Sequence, residues 1–190
     1  MDGSLNLRIH PSGVHVVLIQ KETKKLIIQL GTADPENALK AALKVSSDCA
    51  GIDINCGCPK RFSVISSMGS ALLEDPDRLE SILQTLVSNL SIPVTCKIRL
   101  IPPLNSSQSF IESTVAFAKR MERTGIAAIA VHCRFTWEKP REKGHQEIFA
   151  ELQKALNIPL IANGDFYSMQ DIYNMQSNVP IKEFMIARGI

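Results

Sequence analysis

The 190-residue chain predicts an α/β protein built as a (β/α)8, or TIM, barrel of which about six of the eight strands are present. Three observations predict it. Six short apolar runs rich in β-branched residues alternate with segments of helical periodicity. The runs are apolar on both faces, as in a parallel sheet covered by helices. Nearly every run also ends in groups that can do chemistry, and a barrel gathers such groups around one mouth, whereas an open doubly wound sheet gathers them at a single switch point.

The elements follow in order. LIIQL at 26–30 is the first strand of the alternation, and PENALKAALKVSS from Pro35 the first helix. AGIDIN at 50–55 is the second strand. DPDRLESILQTLVSNL from Asp75 is the next helix. Asp34-Pro35-Glu36 and Asp75-Pro76-Asp77 each offer an N-cap carboxylate, a proline at the first helical position and an acid in the first turn. PVTCKIRL at 93–100, AAIAVHCR at 127–134, IPLIANGD at 158–165 and EFMIARG at 183–189 supply four more strands. The helices between them are SQSFIESTVAFAKRMERTG, QEIFAELQKALN and the weaker SMQDIYNMQS. Six strands do not close an eight-stranded barrel, and the leading RIHPSGVHVVLIQKETKK is expected to add at most one short edge strand, VHVVLI. The chain therefore reads as part of a longer domain or as an unusual open barrel.

Composition narrows the class. The chain is 45% hydrophobic and 21% charged, with a net charge of +2, the profile of a soluble globular protein. No apolar run approaches the roughly 18 residues of a membrane span, and MDGSLNLRIHP has neither the charged nor the apolar region of an export signal. The expected setting is intracellular, cytoplasmic with the nucleus as a second compartment, and the five cysteines are expected as reduced thiols. A metal is not expected, because Cys56-Gly-Cys58 has no second closely spaced pair and no His-x-x-x-His to complete four ligands.

The strand ends carry the chemistry. They present Gln29, Asn55 followed by Cys58, Lys97 with Arg99, His132 with Arg134, Asn163-Gly164-Asp165 and Arg188-Gly189. There is no G-x-G-x-x-G after the first strand and no G-x-x-x-x-G-K-[ST] anywhere. The turns NGD and ARG follow the last two strands, where barrels often hold a phosphate on backbone N–H groups, so a phosphorylated cofactor or substrate is expected.

Seven motifs then occur in a fixed order: IIQLGTADPENAL, GIDINCGCPK, MGSALLEDPDRL, PVTCKIRL, TGIAAIAVHCR, IPLIANGD and MIARG. Each is weak alone, but the ordered set resembles the tRNA-dihydrouridine synthase family, and within it the eukaryotic branch acting on uridine 20 of the D-loop. The resemblance implies a TIM barrel carrying FMN that reduces the C5=C6 bond of a tRNA uridine with NADPH as reductant, hydride going to C6 and a proton to C5. It places the family's proton donor on Cys58. A thiol with a reference pKa near 8.5 is mostly protonated at neutral pH and donates without prior activation. A buried structural thiol is the plain alternative.

By the same resemblance Gln29, Lys97 and His132 contact the flavin ring, where a cation stabilises the reduced anion. Asn163 and Gly164, with Ala187, Arg188 and Gly189, hold its phosphate. Asn55 orients ring or substrate. Arg99 and Arg134 read as substrate contacts or equally as structural ion-pair partners, and RFTWEKPREK at 134–143 as a tRNA-contacting or simply solvated loop. The family's C-terminal tRNA-gripping helical domain is expected to be missing from residues 1–190, leaving a partial FMN-binding catalytic barrel. Two departures stand out: Ile65-Ser66-Ser67 replaces a usual lysine-glycine-glycine, and Cys133 replaces a common glycine, which is expected to narrow the mouth. The alternatives are a non-catalytic RNA-binding remnant or fragment of such an enzyme and an FMN-dependent dehydrogenase acting on a free pyrimidine.

Overall fold

A computed structural model describes residues 5–9, 15–19, 25–103 and 105–188. Six strands form one fully parallel sheet: β3 (Ile27–Leu30), β4 (Gly51–Asn55), β5 (Val94–Arg99), β6 (Ala128–His132), β7 (Leu160–Asn163) and β8 (Glu183–Met185). They lie side by side in sequence order, each pairing in parallel with the next. A doubly wound sheet would reverse direction after its first strands; this one never does, so the winding is that of a barrel wall. The leading segment differs from expectation. It forms two strands, β1 (Leu5–Ile9) and β2 (His15–Ile19), paired antiparallel as a separate hairpin and not as an edge of the main sheet.

Helices return the chain between strands: α1 (Pro35–Val45), α3 (Pro76–Asn89), α4 (Phe110–Glu122), α5 (Ile148–Ala155) and α6 (Met169–Gln176). The two Asp-Pro starts act as read, because Asp34 accepts from the Asn37 N–H and Asp75 from the Arg78 N–H. A further short helix, α2 (Arg61–Ile65), and a 3-10 turn at Gly69–Leu73 lie after β4. Their five-residue lengths leave too little periodicity to be read from sequence.

The pleat sorts the side chains. Ile52, Ile54, Val94, Cys96, Ile98, Ile129, Val131 and Leu160 point to the helix side, where they join Leu79, Ile82, Leu83, Leu86, Met121, Phe149 and Leu152 in one core. Every second residue turns to the opposite, concave face. Register ties these into rows: Gln29 beside Asp53 beside Thr95, Asn55 beside Lys97, and Arg99 beside His132 beside Asn163 beside Met185. The core thus sits under the helices, while the barrel-interior face is polar.

Helix α4 begins with a complete capping box. Ser109 Oγ accepts from the Glu112 N–H at 3.2 Å and Glu112 Oε2 accepts from the Ser109 N–H at 2.8 Å. Ser109→Ala is therefore expected to lower stability by about 1 kcal/mol and Ser109→Gly by only a few tenths, read as shifts of the urea unfolding midpoint.

Candidate active site

Cys58 is set by a relay that starts on the sheet. Asn55, the last residue of β4, accepts from the Gly57 and Cys58 N–H groups on its Oδ1, at 3.1 and 3.0 Å. This fixes its amide, so Nδ2 donates to Gln29 Oε1 at 2.8 Å. Gln29 Nε2 in turn donates to Asp53 Oδ2 at 2.7 Å, and the other Asp53 oxygen accepts from Thr95 Oγ1 at 2.7 Å. Burial raises the Asp53 carboxyl above its ordinary value, while Gln29, Thr95 and Lys97 pull it back toward the carboxylate. The thiol of Cys58 is half-buried, whereas Cys56, two residues earlier, lies wholly in the core with its Sγ donating to Ile54 O. Strict alternation would carry both cysteines, two residues apart, to the core side with Ile52 and Ile54; the turn after β4 breaks it and leaves Cys58 partly open.

The turn is closed from below by Gly69. Its φ is +61°, and a Cβ there would lie 2.4 Å from Ser63 Oγ and 2.6 Å from Cys58 O. Only glycine brings the 3-10 turn this close, and the neighbouring Ser70 N–H donates to Cys58 O at 3.0 Å. Ser67, which stands where the resembled family reads glycine, also takes a left-handed backbone with φ of 55°. The departure therefore places strain in the loop that carries the cysteine.

Beside this turn lies a cleft of about 420 Å³ lined by Lys97, Arg99, His132, Arg134, Asn163, Gly164, Ala187 and Arg188, among others. That volume lies in the range of small-molecule sites. Burial, and then the nearby Arg99, lower Lys97 from 10.5 to about 8. Burial and the cations Lys97, Arg99 and Arg134 push His132 down to about 3, so its ring is neutral. Arg134 Nη1 lies 3.2 Å from His132 Nε2. A guanidinium has no acceptor, so Nε2 accepts and the ring proton sits on Nδ1.

The two uncertain arginines are both engaged by the protein. Arg99 donates from Nε to Gly57 O at 2.9 Å and from Nη1 to Phe135 O at 2.8 Å, bridging the Cys58 turn to the loop after β6. Arg134 is 2% exposed. It pairs with Asp165 and donates to Glu142 O from Nε at 2.8 Å. Burial would raise the Asp165 carboxyl, but the bonds from Arg134 and the Gly144 N–H hold it below its usual value. Arg134 is thus an ion-pair partner of Asp165 that also lines the cleft.

On the far side, Asn163 Nδ2 donates to Met185 O at 2.7 Å, tying the ends of β7 and β8. Gly164 has φ of +113°. Arg188 is exposed, donates to the Tyr167 hydroxyl at 3.3 Å and lies 5.7 Å from the centre of that ring. Gly189 lies outside the described residues. The expectation that Cys133 narrows the mouth is corrected. Its thiol is fully buried and fills the space between Gly144 and Gly164, where an added Cβ would come within 2.5 and 2.6 Å of it. Burial pushes that thiol up to about 12, which makes it an inert packing group.

The structure therefore brings Gln29, Asn55, Cys58, Lys97, Arg99, His132, Asn163 and Arg188 to one face. The sequence reading missed Asp53 and Thr95 as the anchors of Gln29. The available signal was a carboxylate inside an otherwise apolar strand. Among the described residues no group of His, Cys, Asp and Glu is placed to hold a metal ion, and no helix is long and apolar enough to cross a membrane.

The cationic cleft has an energetic consequence. Below about pH 8 Lys97 is protonated in both folded and unfolded chain, so the full cost of its buried charge applies; the cost fades as pH rises from about 8 to 10.5. Lys97→Met is expected to raise the unfolding free energy of the ligand-free chain at pH 7 by roughly 1–3 kcal/mol. The gain should vanish near pH 10.5, as measured by urea unfolding at the two pH values.

Comparison with known proteins agrees with this geometry. The family model described as dihydrouridine synthase (Dus) matches residues 7–190. The chain is 44% identical over 164 residues to the tRNA-dihydrouridine(20) synthase [NAD(P)+] of Saccharomyces cerevisiae, covering 83% of this chain and 41% of that protein. It is 37% identical over 189 residues to the Schizosaccharomyces pombe protein of the same name, covering 96% and 36%. It thus spans about two fifths of the length of these curated relatives. Among solved structures, N-acetylneuraminate lyase from Mycoplasma synoviae aligns with a TM-score of 0.54 at 14% identity, over 85% of this chain and 54% of that one. A dihydrodipicolinate synthase from Agrobacterium tumefaciens aligns at 0.53 and 16% identity, over 88% and 55%. At that identity the structural likeness concerns the fold alone.

Proposed function

Because the chain belongs to the dihydrouridine synthase family, we propose that it carries the reductive centre of a tRNA-dihydrouridine synthase, which saturates the C5=C6 bond of a D-loop uridine. The observation that carries this reading is the single half-buried thiol, Cys58, held by Asn55 in a turn whose Gly57 carbonyl is bonded by Arg99, one of the cations that line the cleft. The donor set fits FMN. Lys97 is a half-buried cation whose charge is disfavoured until an anion meets it, His132 offers a fixed Nδ1–H donor, and Asn163, Gly164, Ala187 and Arg188 form the turns on the phosphate side. FMN held by these residues and reduced by NADPH would supply the hydride that uracil C6 receives.

The remaining work falls to the side chains. Addition of hydride at C6 leaves negative charge on C5 and the O4 carbonyl, and the Cys58 Sγ–H supplies the proton at C5. Sγ is left as a thiolate and is reprotonated from water. Asn55, through its two backbone N–H partners, holds the turn against rotation, and Arg99 fixes the Gly57 carbonyl from the other side. The neutral His132 donates without adding a competing acid. Exposed Lys60, Arg61, Lys139, Arg141 and Lys143 on the loops after β4 and β6 supply charge for the phosphates of tRNA.

Cys58→Ala is expected to lower dihydrouridine formation about 10²- to 10⁴-fold while FMN stays bound. Dihydrouridine would be counted by mass spectrometry of digested tRNA and FMN by its absorbance on the purified protein. Full activity in that variant would remove Cys58 from the acid role.

A further inference from the structure

Outside the concave cleft, a groove of about 550 Å³ runs between α3, α4 and the loops after β5 and β6. Its floor is apolar, with Leu100, Ile101 and Phe117. Trp137 lines it. That ring is 64% exposed although one face is stacked on Phe135 at 4.7 Å between centroids and 4° between planes, so its exposure belongs to the opposite face and the edges. Phe135 is a rigid base for it. Phe110 and His145 meet Phe135 nearly edge-on, at 5.6 and 5.4 Å, its N–H donates to Glu138 Oε2 at 2.6 Å, and its carbonyl is held by Arg99.

A second, independent observation lies in the same groove. Ser113 is 4% exposed, and its Oγ is the one buried side-chain N or O atom without a hydrogen-bond partner among the described residues. Ser113 is also part of the groove lining. A buried hydroxyl left alone is costly, and rotation about the Cα–Cβ bond would turn this one, which has no open surface in the empty groove, toward an occupant that removes the cost. An aromatic plane, an apolar floor and one recessed hydroxyl match an unstacked nucleobase, which offers a π-face and a hydrogen-bonding edge together. A purely hydrocarbon occupant would leave Ser113 Oγ unpaired. Arg123, exposed at the groove's rim, adds a cation for a neighbouring phosphate.

The groove is also mechanically joined to the cysteine. Ser70 lines it and donates its N–H to Cys58 O at 3.0 Å, while Arg99 ties Gly57 O to Phe135 O. We infer that this groove is a second base-binding site, which receives a nucleobase of the substrate RNA other than the target uridine and stacks it on Trp137. The inference rests on the tRNA reading proposed above. Filling the groove presses on both sides of the turn that carries Cys58, so the site couples recognition of the RNA to the placement of its acid.

Trp137 is the only tryptophan of the chain, so intrinsic emission reports on this ring alone. The test is a titration of the chain with unmodified tRNA transcript, read in parallel by tryptophan emission and by anisotropy of end-labelled tRNA. The expected result is quenching with the same midpoint as the anisotropy. Trp137→Ala should weaken binding roughly 5- to 100-fold, Trp137→Phe should restore most of it, and Ser113→Ala should weaken it about 2- to 10-fold. Far-ultraviolet circular dichroism would confirm that each variant is folded. Binding with unchanged emission, or undiminished binding by folded Trp137→Ala, would overturn the groove assignment and leave the tRNA reading standing. No binding of tRNA by the folded chain would overturn both.

Discussion

The pleat of a parallel sheet in fixed register is the constraint on which the rest of this molecule depends. Because side chains alternate strictly, a one-residue slip of β5 would send Lys97 and Arg99 into the helix layer and bring Cys96 and Ile98 to the mouth. The apolar half of each strand prevents that slip. Ile52, Ile54, Cys96, Ile98, Ile129 and Val131 are fully buried under the helices, and each is worth on the order of 1.5–3 kcal/mol against exposure for its larger members. Hydrophobic burial on one face therefore determines which polar groups meet on the other. The chemistry of the concave face is a consequence of packing that never touches it.

Polar groups on that face are costly to desolvate, and the structure offsets the cost by linking them. Asp53 is a buried carboxyl group whose two oxygens are both satisfied, by donation from Gln29 and Thr95. Gln29 can donate because Asn55 supplies its carbonyl oxygen with a partner, and Asn55 is oriented by the N–H groups of the turn it holds. Donation runs in one direction, from the Cys58 turn through Asn55 and Gln29 to Asp53 on the sheet, with no amide free to flip. Lys97 is the exception. Neighbouring Arg99 adds repulsion to its burial, so its charge remains a standing cost that an anionic ligand relieves. A site that is slightly unstable without its ligand binds that ligand more tightly, and the stability lost is the affinity gained.

Much of this was legible in the sequence, for a physical reason. The alternation of apolar runs and helices gives the strand order directly, and the two Asp-Pro starts mark caps that the structure forms. The site residues were legible because a strand end is where a barrel exposes side chains, so Lys97, His132 and Asn163 announced themselves by position. What was not legible depended on distance across the fold. The anchoring of Gln29 by Asp53 spans 24 residues and that of Asp53 by Thr95 spans 42. Cys133 shows the same limit in reverse. Its place after His132 pointed to the mouth, but the pleat turns it to the other side, where two glycine turns leave room for sulfur. Of the β1–β2 hairpin, β2 is the short strand expected at VHVVLI, while β1 and its antiparallel pairing escaped because a five-residue strand carries no helical alternation to reveal it.

Arg99 shows how the two halves of the molecule are joined. Its guanidinium has five N–H donors in a rigid plane, and two of its nitrogens, Nε and Nη1, take backbone carbonyls from different loops, Gly57 before the cysteine and Phe135 before the exposed tryptophan. Lysine at this position would offer a point charge on a flexible stem and could not set the angle between the loops. The fork therefore joins two connections into one unit whose geometry is referred back to β5. That arrangement explains why an aromatic cluster sits beside a cationic cleft: the aromatic loop supplies the carbonyl that Arg99 needs as well as a surface. Displacing either loop costs a charge-assisted hydrogen bond on the other, so the turn bearing Cys58 and the loop bearing Trp137 move together or not at all.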